Sequence, residues 1–306
     1  MAVERVAVGD GTPEGTNSAY LLPEHGTVID PGPPTDRAWA DLTAGLESVG
    51  FALEDVAYVL VTHWHADHMG LAPRLAEAAD ATIAMGEADA PLLGAYATER
   101  AKRIDRDAET LARWGVPDRA IETVRSSDDP SPIPDEYPVE GLENGETVAG
   151  LEVVTTPGHT LGHTSFVTDE AVVVGDAVLP TYTPNVGGSD TRTRREDPLA
   201  TFFDTLDRLE TLAESHQLLP GHGTSVDADR IATIRAHHHD RSDRIYSALE
   251  ERGEATPWDL ARDLFGDLEG IHAKFGTGET AAHLEALQRE GRVERVEESP
   301  VAYTPT

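Results

Sequence analysis

The chain has 306 residues and carries 56 aspartates and glutamates against 24 lysines and arginines, a formal net charge of −32. So acidic a surface disfavours polyanionic partners and marks a halophilic protein whose carboxylates stay hydrated in concentrated salt. It contains no cysteine, which excludes disulfides and thiolate ligands and leaves imidazole and carboxylate to hold any metal.

In chain order, ERVAVG (4–9), NSAYLL (17–22) and GTVIDPG (26–32) read as short strands broken by Gly, Pro and acidic turns. TDRAWADLTAGLESVG (35–50) has helical spacing, with Trp39, Leu42 and Leu46 on one side and Gly50 as a stop. VAYVLVTH (56–63) is a nearly continuous apolar run, the mark of a strand buried on both faces. Residues 70–80 and 95–114 read as helices, and RSSDDPSPIPDEYP (125–138) as a polar, proline-rich loop. ETVAGLEVVTTPGH, TSFVTD and EAVVVGD return to strand character. A helix at 198–212, with Phe202, Leu206 and Leu209 on one face, precedes the short strand HQLLPGH. Two sheets enclosed by helices are expected.

Beyond about residue 230 the pattern turns helical: IATIRAHHHDRSDRIYSALEERG, then TPWDLARDLFG, then TAAHLEALQREG. Thr256 is a good N-cap, with Pro257 at the first helical position and Asp259 in the first turn. RVERVEESPVAYT closes the chain as a hairpin. Three helices and a two-stranded wing predict a winged-helix module, so the expected division is 1–228 and 229–306. No apolar run spans a bilayer and the start, MAVERVAVGD, has no leader-like stretch; a cytoplasmic location without membrane partners is expected.

The chemistry concentrates in VTHWHADHMG (61–70), where three histidines and an aspartate fall within six positions after an apolar run. If the strand continues, His63 and His65 point the same way, while Asp67 and His68 lie just beyond, displaced enough to serve a second metal. His159, Asp176 and His222 each stand where a later apolar strand runs into a Gly- or Pro-containing loop. A strand end fixes a side chain while the loop admits solvent. His163 reads as a hydrogen-bonding neighbour. The run HHHD (237–240) reads as a solvated helix face, and His25, His216, His272 and His283 have no motif support.

HWHADH fits the H-x-H-x-D-H signature of the metallo-β-lactamase superfamily, and PGHT, GDAVLP and PGHG resemble its later metal-binding motifs in the same order. VIDPG resembles its first motif, with Asp30 supporting the site. The resemblance covers roughly residues 1–225. It implies an α+β fold, a four-layer αββα sandwich with a two-metal site at one edge, followed here by the small C-terminal winged-helix domain. Carried over position by position, one ion would have His63, His65 and His159, the other Asp67, His68 and His222, with Asp176 bridging. Zinc is the default pair of divalent ions; an all-N/O site also accepts iron or manganese. The ions would share a hydroxide that attacks an electrophilic substrate, and Asp67 would act catalytically by orienting that nucleophile or handling its proton. The absence of cysteine sets aside the lactamases with a cysteine ligand, and the carboxylate at 176 resembles the glyoxalase-II and RNA-processing branches.

The tail is similar to a lactamase-like subgroup that includes glyoxalase-II-like hydrolases, carrier-protein thioesterases and an endoribonuclease. A small-molecule thioester or ester is therefore the expected substrate, and cleavage of single-stranded RNA the alternative. Against RNA, residues 240–306 hold 15 acids and 8 bases, whereas phosphate contact needs clustered cations. Packing against the catalytic domain or forming a homodimer suits the tail better. The segment LPTYTPNVGGSDTRTRRED (179–197) should pass beside the metals and offers Tyr182, Asn185, Arg192, Arg194 and Arg195. These are either an anion clamp for the substrate or ion pairs with Asp190, Glu196 and Asp197.

Overall fold

The computed structural model describes residues 3–12, 15–227 and 229–306, and the side chains of Thr12, Arg195 and Glu196 lie outside the described set. The chain divides into two compact units. The first gathers Met1–Glu99, Ser131–Pro184 and Thr205–Ala232. Its larger sheet has the order β1 (Glu4–Thr12), β2 (Gly15–Leu22), β3 (Thr27–Ile29), β4 (Tyr58–Val61), β5 (Thr82–Gly86) and β6 (Glu140–Leu142). The first three strands run antiparallel, and β3 through β6 run parallel. The second sheet runs β11 (Gln217–Pro220), β10 (Ala171–Gly175), β9 (Thr164–Val167), β8 (Leu151–Thr155), β7 (Thr147–Val148), antiparallel except for β10 beside β11.

Alternation along the strands builds both cores. Tyr20, Ile29, Leu60 and Ala84 of the first sheet meet Leu151, Val153, Phe166 and Val173 of the second. Their neighbours Leu21, Val28, Val59, Val61 and Ile83 turn to the other face. There they pack on Leu42 and Leu46 of α1 (Asp36–Ser48), Met69 of α2 (Ala66–Met69), Leu75 of α3 (Ala72–Ala79) and Leu93 of α4 (Ala90–Gly94). A strand with no polar side between two such layers must read as a continuous apolar run, which is what 56–61 does. Outside the second sheet, Thr205 Oγ1 donates to Pro157 O (2.7 Å) and Arg208 Nη1 to Thr155 O (2.9 Å), anchoring a helix beside the end of β8. The layers are therefore helix, sheet, sheet, helix.

The second unit gathers Arg100–Pro130, Asn185–Asp204 and Thr233–Thr306. Most of α5 (Tyr96–Arg113), all of α6 (Asp118–Ser126), and the first turns of α7 (Pro198–Ala213) belong to it. So do most of α8 (Asp229–Arg252), α9 (Pro257–Phe265), α10 (Ile271–Arg289) and the antiparallel pair β12 (Val293–Glu298) and β13 (Val301–Pro305). This interleaving departs from the single expected boundary at 228/229. Its cause is apolar: Leu111, Trp114, Ile121 and Val124 of the middle of the chain share one core with Ala273 and Ala281 of α10. A second core joins Ile245, Leu249, Leu260, Leu284 and Leu287 to Val293, Val301 and Tyr303. Thr256 caps α9 through a full capping box with Asp259. α10 starts at Ile271, nine residues before the stretch that sequence marked as helix. Gly276 and Gly278 weaken that reading, yet a Cβ on Gly278 would lie 2.4 Å from Gly188 Cα. Among the described residues no helix is long and apolar enough to cross a membrane.

Candidate metal centre

β4 ends at Val61, so strand alternation does not carry on to His65 as the sequence suggests. A bend at 62–64 follows, and His65 becomes the N-cap of α2, whose single turn presents Asp67 and His68. Asp30 fixes this bend. It sits at the end of β3 with φ of 50°, and its carboxylate accepts from Thr62 N (2.8 Å) and Thr62 Oγ1 (2.7 Å) while facing His68 Nδ1 at 2.9 Å. A left-handed backbone at a non-glycine residue costs about a kcal/mol or more, and persists where hydrogen bonds hold it.

All seven residues carried over from the family motifs converge. The ligand-type atoms of His63, His65 and His159 lie within 4.8 Å of one another, as do those of Asp67, His68 and His222, and those of His63, His68 and Asp176. Asp176 lies between the two histidine sets. Its Oδ1 is 3.5 Å from His68 Nε2, and its Oδ2 is 3.8 Å from His159 Nε2 and 3.6 Å from His222 Nε2. Asp67 Oδ2 stands 3.5 Å from His68 Nε2 and 3.3 Å from His222 Nε2.

Whether these side chains suit a cation can be read from their unmet polar atoms. His65 Nδ1 faces both His63 Nε2 (3.0 Å) and His159 Nε2 (3.1 Å). One ring proton cannot satisfy two such neighbours. Burial holds His63 and His65 well below the usual histidine range, so both rings are neutral and present lone pairs. His68 Nε2 and Asp176 Oδ1 are buried without a hydrogen-bond partner. Burial works against charge on His222, yet its contacts with Asp176 and Asp67 raise it to about 9, and the facing carboxylates raise His68 too. For Asp67 and Asp176 burial pushes upward, but His68 and His222 outweigh it and hold both well below the usual carboxylate range. Two ionised carboxylates among neutral rings demand positive charge, which protons on His68 and His222 or divalent ions can supply.

The ring of supporting residues is tight. His163 Nδ1 meets Thr156 Oγ1 at 2.8 Å, and its Nε2 accepts the Asp176 backbone N–H at 3.2 Å; the sequence suggested a hydrogen-bonding neighbour, and its partner is the Asp176 backbone. Burial drives His163 down to about 3, keeping that acceptor bare. Three supports escaped the sequence reading. Asn17 Nδ2 donates to Asp67 O (3.0 Å) and Asp67 Oδ2 (3.1 Å). Asp89 accepts from Thr160 Oγ1 (2.7 Å), Gly162 N (2.9 Å) and Trp64 N (3.3 Å), tying the HWHADH turn to the loop that carries His159. Gly221 must lack a side chain, because a Cβ would lie 2.3 Å from Asp176 Oδ1 and 2.6 Å from His68 Cε1. Only the last carried a signal, as part of PGHG. Trp64 is half-buried and packs on the core, with its ring 4.7 Å from that of His65.

The segment after Asp176 behaves differently. Tyr182 is 46 % exposed in the first unit, while Asn185, Arg192 and Arg194 belong to the second. Asn185 Nδ2 donates to Glu279 Oε2 (3.0 Å), and its Oδ1 accepts from Ser189 N (2.7 Å). Arg192 pairs with Asp190 at 2.6 Å, so ion pairing accounts for this arginine. Arg194 is half-buried, and Arg195 and Glu196 lie outside the described side chains.

Residues 11–222 match the family described as the metallo-beta-lactamase superfamily, more than two-thirds of the chain. The chain belongs to the metallo-beta-lactamase superfamily. Among its superfamily relatives, the probable metallo-hydrolase YqjP of Bacillus subtilis is 27 % identical over 92 % of this chain and 90 % of its own. The crystal structure of the family protein TTHA1429 from Thermus thermophilus superposes with a TM-score of 0.78 at 28 % identity, covering 99 % of this chain and 98 % of that one. TTHA1623, solved in a di-iron-bound form, matches 75 % of this chain and 97 % of its own at a TM-score of 0.50 and 28 % identity. With its converging donors, this superfamily member is a metal-dependent hydrolase that uses divalent metal.

Proposed function

We propose that the protein hydrolyses a small thioester or ester with two divalent ions, zinc by default. The position of Asp176, reaching both histidine sets from the end of β10, is the observation that carries this reading. His63, His65 and His159 would hold one ion, Asp67, His68 and His222 the other, and Asp176 both. The di-iron form of the relative TTHA1623 supports the two-ion count and makes iron the competitor to zinc. Such a pair supplies Lewis acidity toward an acyl oxygen and lowers the pKa of water.

The chain's own residues do the positioning. Asp67 is the catalytic carboxylate: ionised and aimed by Asn17, it can orient water by accepting its hydrogen bond. Asp30 sets the His68 ring, and His163 sets Asp176 through its backbone N–H. Tyr182, exposed beyond Asp176 in the same unit, is the residue offered for substrate contact.

An acyl substrate is favoured over RNA by charge and by the C-terminal module. We read α8, α9, α10 and the β12–β13 hairpin as a winged helix, but α10, its third helix, buries 11 of its 19 residues. A reading helix buried to that extent has little face left for a nucleic-acid groove. The acid surplus fits a salt-rich cytoplasm. The deciding experiment combines metal analysis with a panel of thioesters, esters, lactones and single-stranded RNA, at low and molar salt. Metal-dependent thioester or ester turnover, highest in salt, is expected; RNA cleavage without acyl turnover overturns the proposal.

A further inference from the structure

The run HHHD lies only in part on a solvated face: His239 and Asp240 are exposed, but His238 is not. His238 is completely buried on α8, and so is His283 on α10. With Glu279, four residues before His283 on the same helix, they bring three ligand-type atoms within 4.8 Å of one another, all inside the second unit. None of the superfamily motifs includes them.

We propose that His238, Glu279 and His283 form a separate site for one zinc-type divalent ion, which ties α8 to α10. Two observations carry it. First, His238 Nδ1 and His283 Nε2 are 3.3 Å apart. That is long for an N–H···N bond, but two nitrogens at about 2.05 Å from a tetrahedral ion lie about 3.3 Å from each other. Second, the donors are held as ligands usually are. His283 Nδ1 meets Ser242 Oγ at 2.8 Å, leaving Nε2 for the ion. Glu279 is braced by Arg241 on Oε1 (2.7 Å) and Asn185 on Oε2 (3.0 Å), each oxygen keeping a further lone pair. His238 Nε2, the nitrogen facing away from the ion, is buried without a hydrogen-bond partner and would carry the ring proton. Burial, then the neighbouring cations, holds both rings below the usual histidine range, so neither must shed a proton to bind.

Two imidazoles and one carboxylate suit zinc and its transition-metal neighbours and disfavour magnesium or calcium, which want oxygen shells. The brace of His283 lies at the edge of a groove. Ser242 lines an open groove of about 340 Å³, together with Phe203, His239, Arg289 and Arg292. Because Arg241 already neutralises Glu279, the ion adds net charge, which the surplus of acids in this unit can offset.

The test uses the full chain stripped by chelator, reloaded with Co²⁺ or Zn²⁺ and freed of excess. The His65→Ala/Asp176→Ala/His222→Ala triple variant, which leaves at most two donors in each strand-end set, should still hold one equivalent of Co²⁺, with the visible bands of a tetrahedral ion, and should melt at a higher temperature with Zn²⁺ than without. Adding His283→Gln should remove that equivalent, the bands and the zinc-dependent shift. In the otherwise unaltered chain, His283→Gln or the isosteric Glu279→Gln should lower metal content by one equivalent. A folded triple variant that binds no Co²⁺, or an unaltered metal count in both single variants, overturns the proposal. Because the readout is the number of ions surviving loss of the strand-end donors, it stands whether or not an acyl substrate is found.

Discussion

Asp89 gives the sharpest test of how the metal centre is held. It is fully buried and accepts one hydroxyl and two backbone N–H groups from the two loops that carry His63, His65 and His159. Asp89→Ala leaves those three donors buried around a void. The contacts at 2.7 and 2.9 Å are short enough to count fully, and hydrogen bonds to a charged acceptor contribute about 1.5–3 kcal/mol each. A loss of roughly 3–5 kcal/mol follows, a large share of the about 5–15 kcal/mol that holds a protein folded. Asp89→Asn keeps the volume and one acceptor, and Thr160 can turn to accept from the new amide, so it should cost about 1–2 kcal/mol. Both changes should also weaken metal binding, by about 10- to 100-fold where the loops lose their tie. Urea unfolding and chelator competition measure the two effects. If Asp89→Ala unfolds at the wild-type midpoint with wild-type metal affinity, the tie is not what sets the loops.

Gly221→Ala should fold, because its backbone needs no left-handed angle, but its Cβ must displace Asp176 or His68. Elemental analysis should find at least one ion lost and turnover lowered at least about 10-fold, as for other changes that disturb a ligand's seating; wild-type metal content would mean the cradle is looser than its distances. The metal-free chain should have a stability maximum near pH 6.5. His222, raised from 6.5 to about 9, contributes stability that is complete below 6.5 and lost as pH climbs to about 9. His163, pushed down from 6.5 to about 3, contributes stability present above 6.5 and lost as pH falls toward about 3. Saturating zinc should flatten the alkaline limb, since the ions take the place of the protons on His68 and His222, and a pH indicator should register up to about two protons released per chain at neutral pH. Melting curves with identical alkaline limbs in chelator and in zinc would contradict this.

How much of this was legible depended on whether a residue's role imposes a local pattern. Strands buried between layers must be apolar throughout, so 56–61 and 171–175 declared themselves, and ligands crowded into one turn declared themselves with them. Asp89 and Asn17 impose no such pattern. Asn17 finds Asp67 50 positions along the chain, and Asp89 finds Thr160 71 positions away and Gly162 73 away. A single polar residue with partners that distant leaves no trace in its own neighbourhood. α10 was half-read because Gly276 and Gly278 look like loop residues, while their smallness serves close packing that only the fold reveals. His238 was misread for a related reason. Three consecutive histidines on a helix face three directions, and composition does not say which of them turns inward.

The interleaving of the second unit bears on how such a protein can be cut and inherited. Leu111, Trp114, Ile121 and Val124 share their apolar core with Ala273 and Ala281 of the last third of the chain. A fragment ending at 228 would expose Leu111, Trp114 and Val124 to water and invite aggregation. Gene fusion or recombination therefore cannot exchange the C-terminal helices as a ready-made cassette.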